Sequence, residues 1–220
     1  MAQKVPRAGL SRFMKEGSQF FKGTDEAVIR NIETVCELAG QIRSAYGPNG
    51  MNKMVINHIE KLFVTNDAAT ILRELEIQHP AAKIVVLASQ MQEKQVGDNT
   101  NTVVILAAAL LEHAAQLIYM VGILMPFILK SWGLTPQEVA SGYELACDKA
   151  LELLPALVVK EATELKDVDQ VKRWIRSAIT SKQYDNEEVI ADLVSKACVQ
   201  TCPKNAANFN VDNIRICKVS

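Results

Sequence analysis

Three polar turns hold the residues whose types and spacing suit chemistry on a phosphate group. They are Gly47-Pro48-Asn49-Gly50, Asn66-Asp67 and Gly97-Asp98-Asn99-Thr100-Asn101. Glycine lets backbone N–H groups approach an anion closely, and a helix start adds donors and a favourable dipole. A carboxylate beside such a loop repels a bare anion. Asp98 makes chemical sense there as a holder of Mg2+, which then bridges phosphate oxygens. Taken singly, each turn also has a plainer reading: Gly47–Gly50 as a chain reversal, Asn66-Asp67 as a helix cap, 97–101 as an ordinary loop. No Gly-x-x-x-x-Gly-Lys-Ser/Thr run is present, so a P-loop is unsupported, and no histidine joins a serine or cysteine in a nucleophile arrangement. Cys198 and Cys202 have the spacing of half a zinc site, but no second pair and no nearby histidine completes it.

The elements that position these turns follow from apolar spacing. Val28, Ile32, Val35, Leu38 and Ile42 recur at helical intervals and predict a helix from about Asp25 to Ala45, stopped by the Gly-Pro turn. Lys53 to Ile56 and Leu62 to Thr65 read as a hairpin. Asp67 is placed to cap a helix carrying Ile71, Leu72 and Leu75. Pro80 suits the first turn of the next helix, with Ile84, Val85, Leu87, Ala88 and Met91 as its expected buried side, ending at Gly97. An alanine-rich apolar helix starts at Thr102. Thr135-Pro136-Gln137-Glu138 spells a capping box for a further helix running to Pro155. Helices near 168–181 and 186–200 follow, and 209–219 alternates like a strand. The expected fold is mainly α with a small β-hairpin and a C-terminal strand (α+β).

The 220 residues are nearly half hydrophobic, enough for a sizeable core, and carry a formal net charge of -1. That balance gives no global pull toward nucleic acid or acidic membranes. Five scattered cysteines read as reduced thiols of a cytosolic protein. Val103 to Leu129 is long enough to span a bilayer, yet Glu112 and His113 near its middle favour a helix buried in a protein core.

The order and wording of the turns carry a more specific signal. Ala45-Tyr46-Gly47-Pro48-Asn49-Gly50-Met51-Asn52-Lys53, then Val64-Thr65-Asn66-Asp67-Ala68-Ala69-Thr70-Ile71, then Val96-Gly97-Asp98-Asn99-Thr100-Asn101 resemble the nucleotide-binding segments of group II chaperonins. Ser181-Lys182-Gln183-Tyr184 and Phe209-Asn210-Val211-Asp212-Asn213-Ile214 fit the same family, and the resemblance runs along nearly the whole chain. It implies an equatorial, ATP-binding part at 1–160 with an atypical insert near 121–132. An intermediate-domain part would follow at 161–212, and the start of an apical domain at 213–220. It implies ATP and Mg2+ as cofactors, with Asp98 holding the metal. Gly47 and Pro48 would lie against the nucleotide, with Gly97, Asn99, Thr100 and Asn101 forming the phosphate loop. Asp67 would orient the attacking water, and Lys182 would sense the terminal phosphate. The partners implied are other chaperonin subunits in a cytoplasmic hetero-oligomeric double ring, and unfolded clients such as cytoskeletal proteins, with no nucleic acid and no membrane.

Three departures bear on function. Asn99 stands where the family has a second glycine. Asparagine tolerates positive φ, so the turn is expected to survive, but its side chain is expected to weaken nucleotide binding. An apolar excess of about a dozen residues lies at 121–132, where Pro126 is expected to kink or break the helix. Retained intron sequence or a gene-model error is the favoured explanation. The chain is also expected to be an incomplete subunit with little activity alone. It would lack the apical substrate surface and the second catalytic aspartate implied by the family. A non-catalytic protein that interacts with the ring is the alternative.

Overall fold

The computed structural model describes residues 24–57, 59–123, 134–162, 164–182 and 185–217. Helix α1 (Thr24–Arg43) leads into the Gly47–Gly50 turn, then β1 (Lys53–Ile56) and β2 (Leu62–Thr65). Helices α2 (Ala68–Glu74), α3 (Pro80–Val96), α4 (Thr100–Ile123) and α5 (Pro136–Leu153) follow, with α6 (Val168–Thr180) and α7 (Glu187–Thr201) forming a separate pair. The strands are antiparallel, Lys53 facing Thr65 and Ile56 facing Leu62. Asn57 closes the hairpin: its Oδ1 accepts the N–H groups of Ile59 and Lys61, and its Nδ2 donates to Glu74 at 2.9 Å.

The core lies between α1, α3 and α4 and is continued by α2 and one residue of β1. Val35, Ile42, Val55, Leu72, Val85 and Val104 meet there. Alanines on both α1 and α4 (Ala39, Ala108) let those helix backbones approach closely. The mainly helical fold with one hairpin is thus as the apolar spacing predicts.

Three expectations are corrected. The buried side of α3 is Ala82, Val85, Val86 and Ser89, while Ile84, Leu87 and Met91 are exposed. The helix carries two apolar faces, and the small one packs, because Ala82 and Ser89 permit close approach to α4. That helix is in turn not wholly enclosed. Val104, Ala108 and Ala114 are buried, while Leu106, Leu110, Glu112 and His113 are exposed. By length and composition Thr100–Ile118 is apolar enough to cross a membrane, yet one face of it packs on α1 and α3. Finally, the C-terminal strand is absent from the described residues. Short 3-10 turns at Ala206–Asn208 and Val211–Asn213 stand in its place. Asn205 and Asn210 accept the N–H groups two residues on, at 3.2 and 2.9 Å, a local bond that competes with strand pairing. Of the apolar excess at 121–132, 121–123 extend α4, and the remainder, with Pro126, lies outside the described residues.

Candidate functional site

The first turn is shaped by glycine. Gly47 has φ +84, and a Cβ on Gly50 would press against the Ala45 carbonyl. The loop therefore folds tightly, with Gly50 N–H donating to Gly47 and Met51 N–H to Ser44. The second turn is an N-cap: Asp67 Oδ2 accepts from Thr70 N–H at 3.0 Å and from the Thr70 hydroxyl at 2.8 Å. The third joins α3 to α4 through two left-handed residues. Gly97 (φ +79) ends α3, its N–H donating to Glu93, and Asn99 follows at φ +65. Asparagine thus does take the backbone conformation that glycine would supply more freely. Asn99 N–H donates to Asp98 Oδ1 at 2.8 Å, and buried Ser89 donates to the Thr100 carbonyl, pinning the loop to α3.

One cleft of about 410 Å3 gathers these pieces. Its walls are Ala45 to Pro48, Asp98 to Asn101 and, from the end of α6, Ser177, Ala178, Ser181 and Lys182. Of the residues singled out from sequence, Gly47, Pro48, Asp98, Asn99, Thr100, Asn101 and Lys182 all line it. Gly97 stands one residue outside. Asp67 is not on the wall but reaches it through Lys182, whose Nζ lies 2.8 Å from Asp67 Oδ1. Asn66 Nδ2 also donates to the Ser181 carbonyl at 2.9 Å, so two bonds tie the start of α2 to the end of α6. Partial burial of Asp67 works against its charge. The hydrogen bonds from Lys182 and Thr70, with the lysine's charge, outweigh that effect and hold the carboxyl below the ordinary aspartate range.

Tyr46, Thr70, Ser177 and Ser181 carry no role in the sequence reading. Tyr46 adjoins the Gly-Pro turn, and its hydroxyl lies 3.3 Å from that of Thr102 on α4. Ser181 belongs to the Ser181-Lys182-Gln183-Tyr184 stretch but carries no role of its own there, and Ser177 lies one turn of helix before it with nothing in its spacing to mark it.

The arrangement suits a polyanion with a hard cation. Asp98 is the one carboxylate on the cleft wall, and no cluster of three or more His, Cys, Asp or Glu exists among the described residues. A cation held there has to draw its remaining ligands from phosphate and water, as Mg2+ characteristically does. Asn101 is 7% exposed, and its Oδ1 has no hydrogen-bond partner, a cost that cleft-wall polar groups bear when their partner is a ligand or water.

Three polar loops and the end of α6 thus frame one cleft on a mainly helical fold. Residues 38–220 match the TCP-1/cpn60 chaperonin family, and the chain belongs to that family. It is 73% identical over 219 residues to the T-complex protein 1 subunit theta of Caenorhabditis elegans, covering all of this chain and 38% of that relative. It is 55% identical over 220 residues to the T-complex protein 1 subunit theta of Homo sapiens and to that of Mus musculus, with the same coverage. The chain thus spans 38% of the length of the curated relatives it matches.

Proposed function

We propose that the cleft binds magnesium ATP and that the chain serves as nucleotide-binding part of a cytosolic chaperonin subunit. The observation that carries this reading is the convergence, in a family member, of Gly47-Pro48, Asp98 to Asn101 and Lys182 on one cleft. Asp98 holds the cation in this reading. The first turn of α4, with Thr100 and Asn101, presents N–H donors to phosphate oxygens. Lys182 answers to the terminal phosphate, and Asp67 is the acceptor that orients water. Bound magnesium ATP supplies the phosphoanhydride whose hydrolysis drives domain movement in the assembled machine. The protein's part is positioning and charge neutralisation.

For the whole subunit we further propose a place in a cytoplasmic hetero-oligomeric double ring with other chaperonin subunits. Its clients would be unfolded proteins, cytoskeletal proteins among them, with no nucleic acid or membrane partner. The 220-residue chain alone is expected to bind nucleotide without steady turnover. Isothermal titration with ATP, with and without Mg2+, tests the core of this reading. Magnesium should tighten binding at least tenfold, and Asp98→Asn should remove that gain. Binding indifferent to magnesium would sink it.

A second reading, a ring-interaction protein that does not turn over nucleotide, is favoured by Asn99 in the phosphate loop. Nucleotide-independent co-sedimentation with the assembled ring would select it.

A further inference from the structure

Cys198 and Cys202 lie outside the residues that line the cleft. Helix α7 carries Ala191, Ser195 and Cys198 on one side at helical spacing, and Cys202, its C-cap, continues the row. Ala191 and Ser195 are fully buried, and α7 packs on α6. Cover thins toward the end of the row, where Cys198 and Cys202 are half-buried free thiols. Burial pushes the Cys198 thiol up and the nearby Cys202 adds to the effect, so the two groups sense one another.

Spacing decides what such a pair can hold. Four residues of α-helix advance about 6 Å, so the two side chains leave the backbone about 6 Å apart. A disulfide needs Cβ atoms about 3.5–4.5 Å apart and therefore an unwound last turn. That turn is held: Cys202 N–H donates to the Val199 carbonyl at 3.3 Å, and the Thr201 hydroxyl donates to the Ala197 carbonyl at 2.8 Å. Zinc needs four ligands, and no group of three or more His, Cys, Asp or Glu occurs among the described residues. Two metal–thiolate bonds of about 2.3 Å set end to end span about 4.6 Å, which side chains starting about 6 Å apart can bridge. We propose that Cys198 and Cys202 bind one soft monovalent cation, Cu(I), as a linear bis-thiolate at the end of α7. Thiolates select Cu(I) over hard cations, and half-buried surroundings disfavour an ion that keeps its water. On binding, two S–H protons leave to solvent and two Cu–S bonds form. Copper stays monovalent throughout, so no oxidant or reductant takes part. The bridge fixes the last turn of α7, and it is independent of the nucleotide reading of the cleft.

The test titrates the reduced 220-residue chain with Cu(I) under nitrogen against bicinchoninate, whose coloured copper complex reports the metal that the protein leaves free. One Cu(I) per chain should be withheld from the chelator. Cys198→Ser and Cys202→Ser should each weaken binding at least about 100-fold, because one thiol forfeits the gain of two-point attachment. Cys147→Ser and Cys217→Ser, at exposed thiols, should bind as the parent. Equimolar Zn(II) should not displace the copper. A second measurement needs no variant: iodoacetamide labelling of the parent chain, read by mass spectrometry. Cu(I) should shield Cys198 and Cys202 together and leave Cys147 and Cys217 open to alkylation. Undiminished binding by the doubly substituted Cys198→Ser, Cys202→Ser chain overturns the proposal. So does one copper shared between two chains, displacement by zinc, or shielding of only one of the two thiols.

Discussion

Gly50 and Asn99 place opposite demands on a side chain. At Gly50 there is no room: a Cβ meets the Ala45 carbonyl within a loop closed by its own backbone bonds. Gly50→Ala should therefore destabilise the chain by about 1–3 kcal/mol in chemical denaturation, the usual range for forced overpacking. At Asn99 the backbone is already left-handed, a conformation glycine adopts at no steric cost. Asn99→Gly keeps the turn, removes a side chain from the cleft wall and should tighten nucleotide binding by roughly 3- to 10-fold in titration calorimetry. Affinity equal to the parent's would show that the side chain does not crowd the phosphates. The loop residues were legible in the sequence because glycine, asparagine and aspartate have narrow conformational and chemical niches. Thr70 and the α6 serines were not. Their meaning depends on which distant segment they meet, and no local pattern encodes the approach of residue 182 to residue 67.

Each helix start here has its own chemistry, and each can be tested. Thr135 accepts the Glu138 N–H while the Glu138 carboxylate accepts from Thr135, a complete capping box ahead of α5. Thr135→Ala removes the two bonds made by the hydroxyl, leaves the backbone N–H of residue 135 to donate to Glu138, and should cost about 1 kcal/mol, read from the denaturation midpoint. The cap of α2 differs because its aspartate also carries the tie to α6. With its folded-state pKa depressed, Asp67 contributes stability that is present above the unfolded value of 3.8 and lost as pH falls through the folded value. Hydrogen-exchange protection at 66–70 and 177–182, taken relative to the intrinsic rate at each pH, should hold at neutral pH and fall only below about pH 3.8. Protection unchanged down to pH 2 would show that the pair does not hold those segments together. Caps and breaks were readable at this scale, and so was the hairpin. The packing face of α3 was not: Ile84, Leu87 and Met91 form as good an apolar stripe as Ala82, Val85 and Ser89, and shape against α4 chose the smaller one. The tail at 209–217 was misread for a related reason, since alternation alone does not supply a partner strand.

At the scale of the whole molecule, apolar surface outruns the core that covers it. Leu87 is 60% exposed on α3, and Leu145 and Leu151 are 72% and 61% exposed on α5. Exposed apolar faces of this extent promote association. The 220-residue chain should self-associate with rising concentration in sedimentation velocity, and Leu87→Glu combined with Met91→Lys should reduce it. The tie between α2 and α6 has a mechanical consequence. Helix α6 runs 13 residues away from the Ser181 and Lys182 contacts, about 20 Å at 1.5 Å per residue. A tilt of about 10° about that end swings the far end by about 3 Å, roughly two residues of helix rise. The short bonds at Asp67 and Asn66 thus stand as the fulcrum of a long arm, where a small rearrangement at that end becomes a displacement large enough for a neighbouring body to feel.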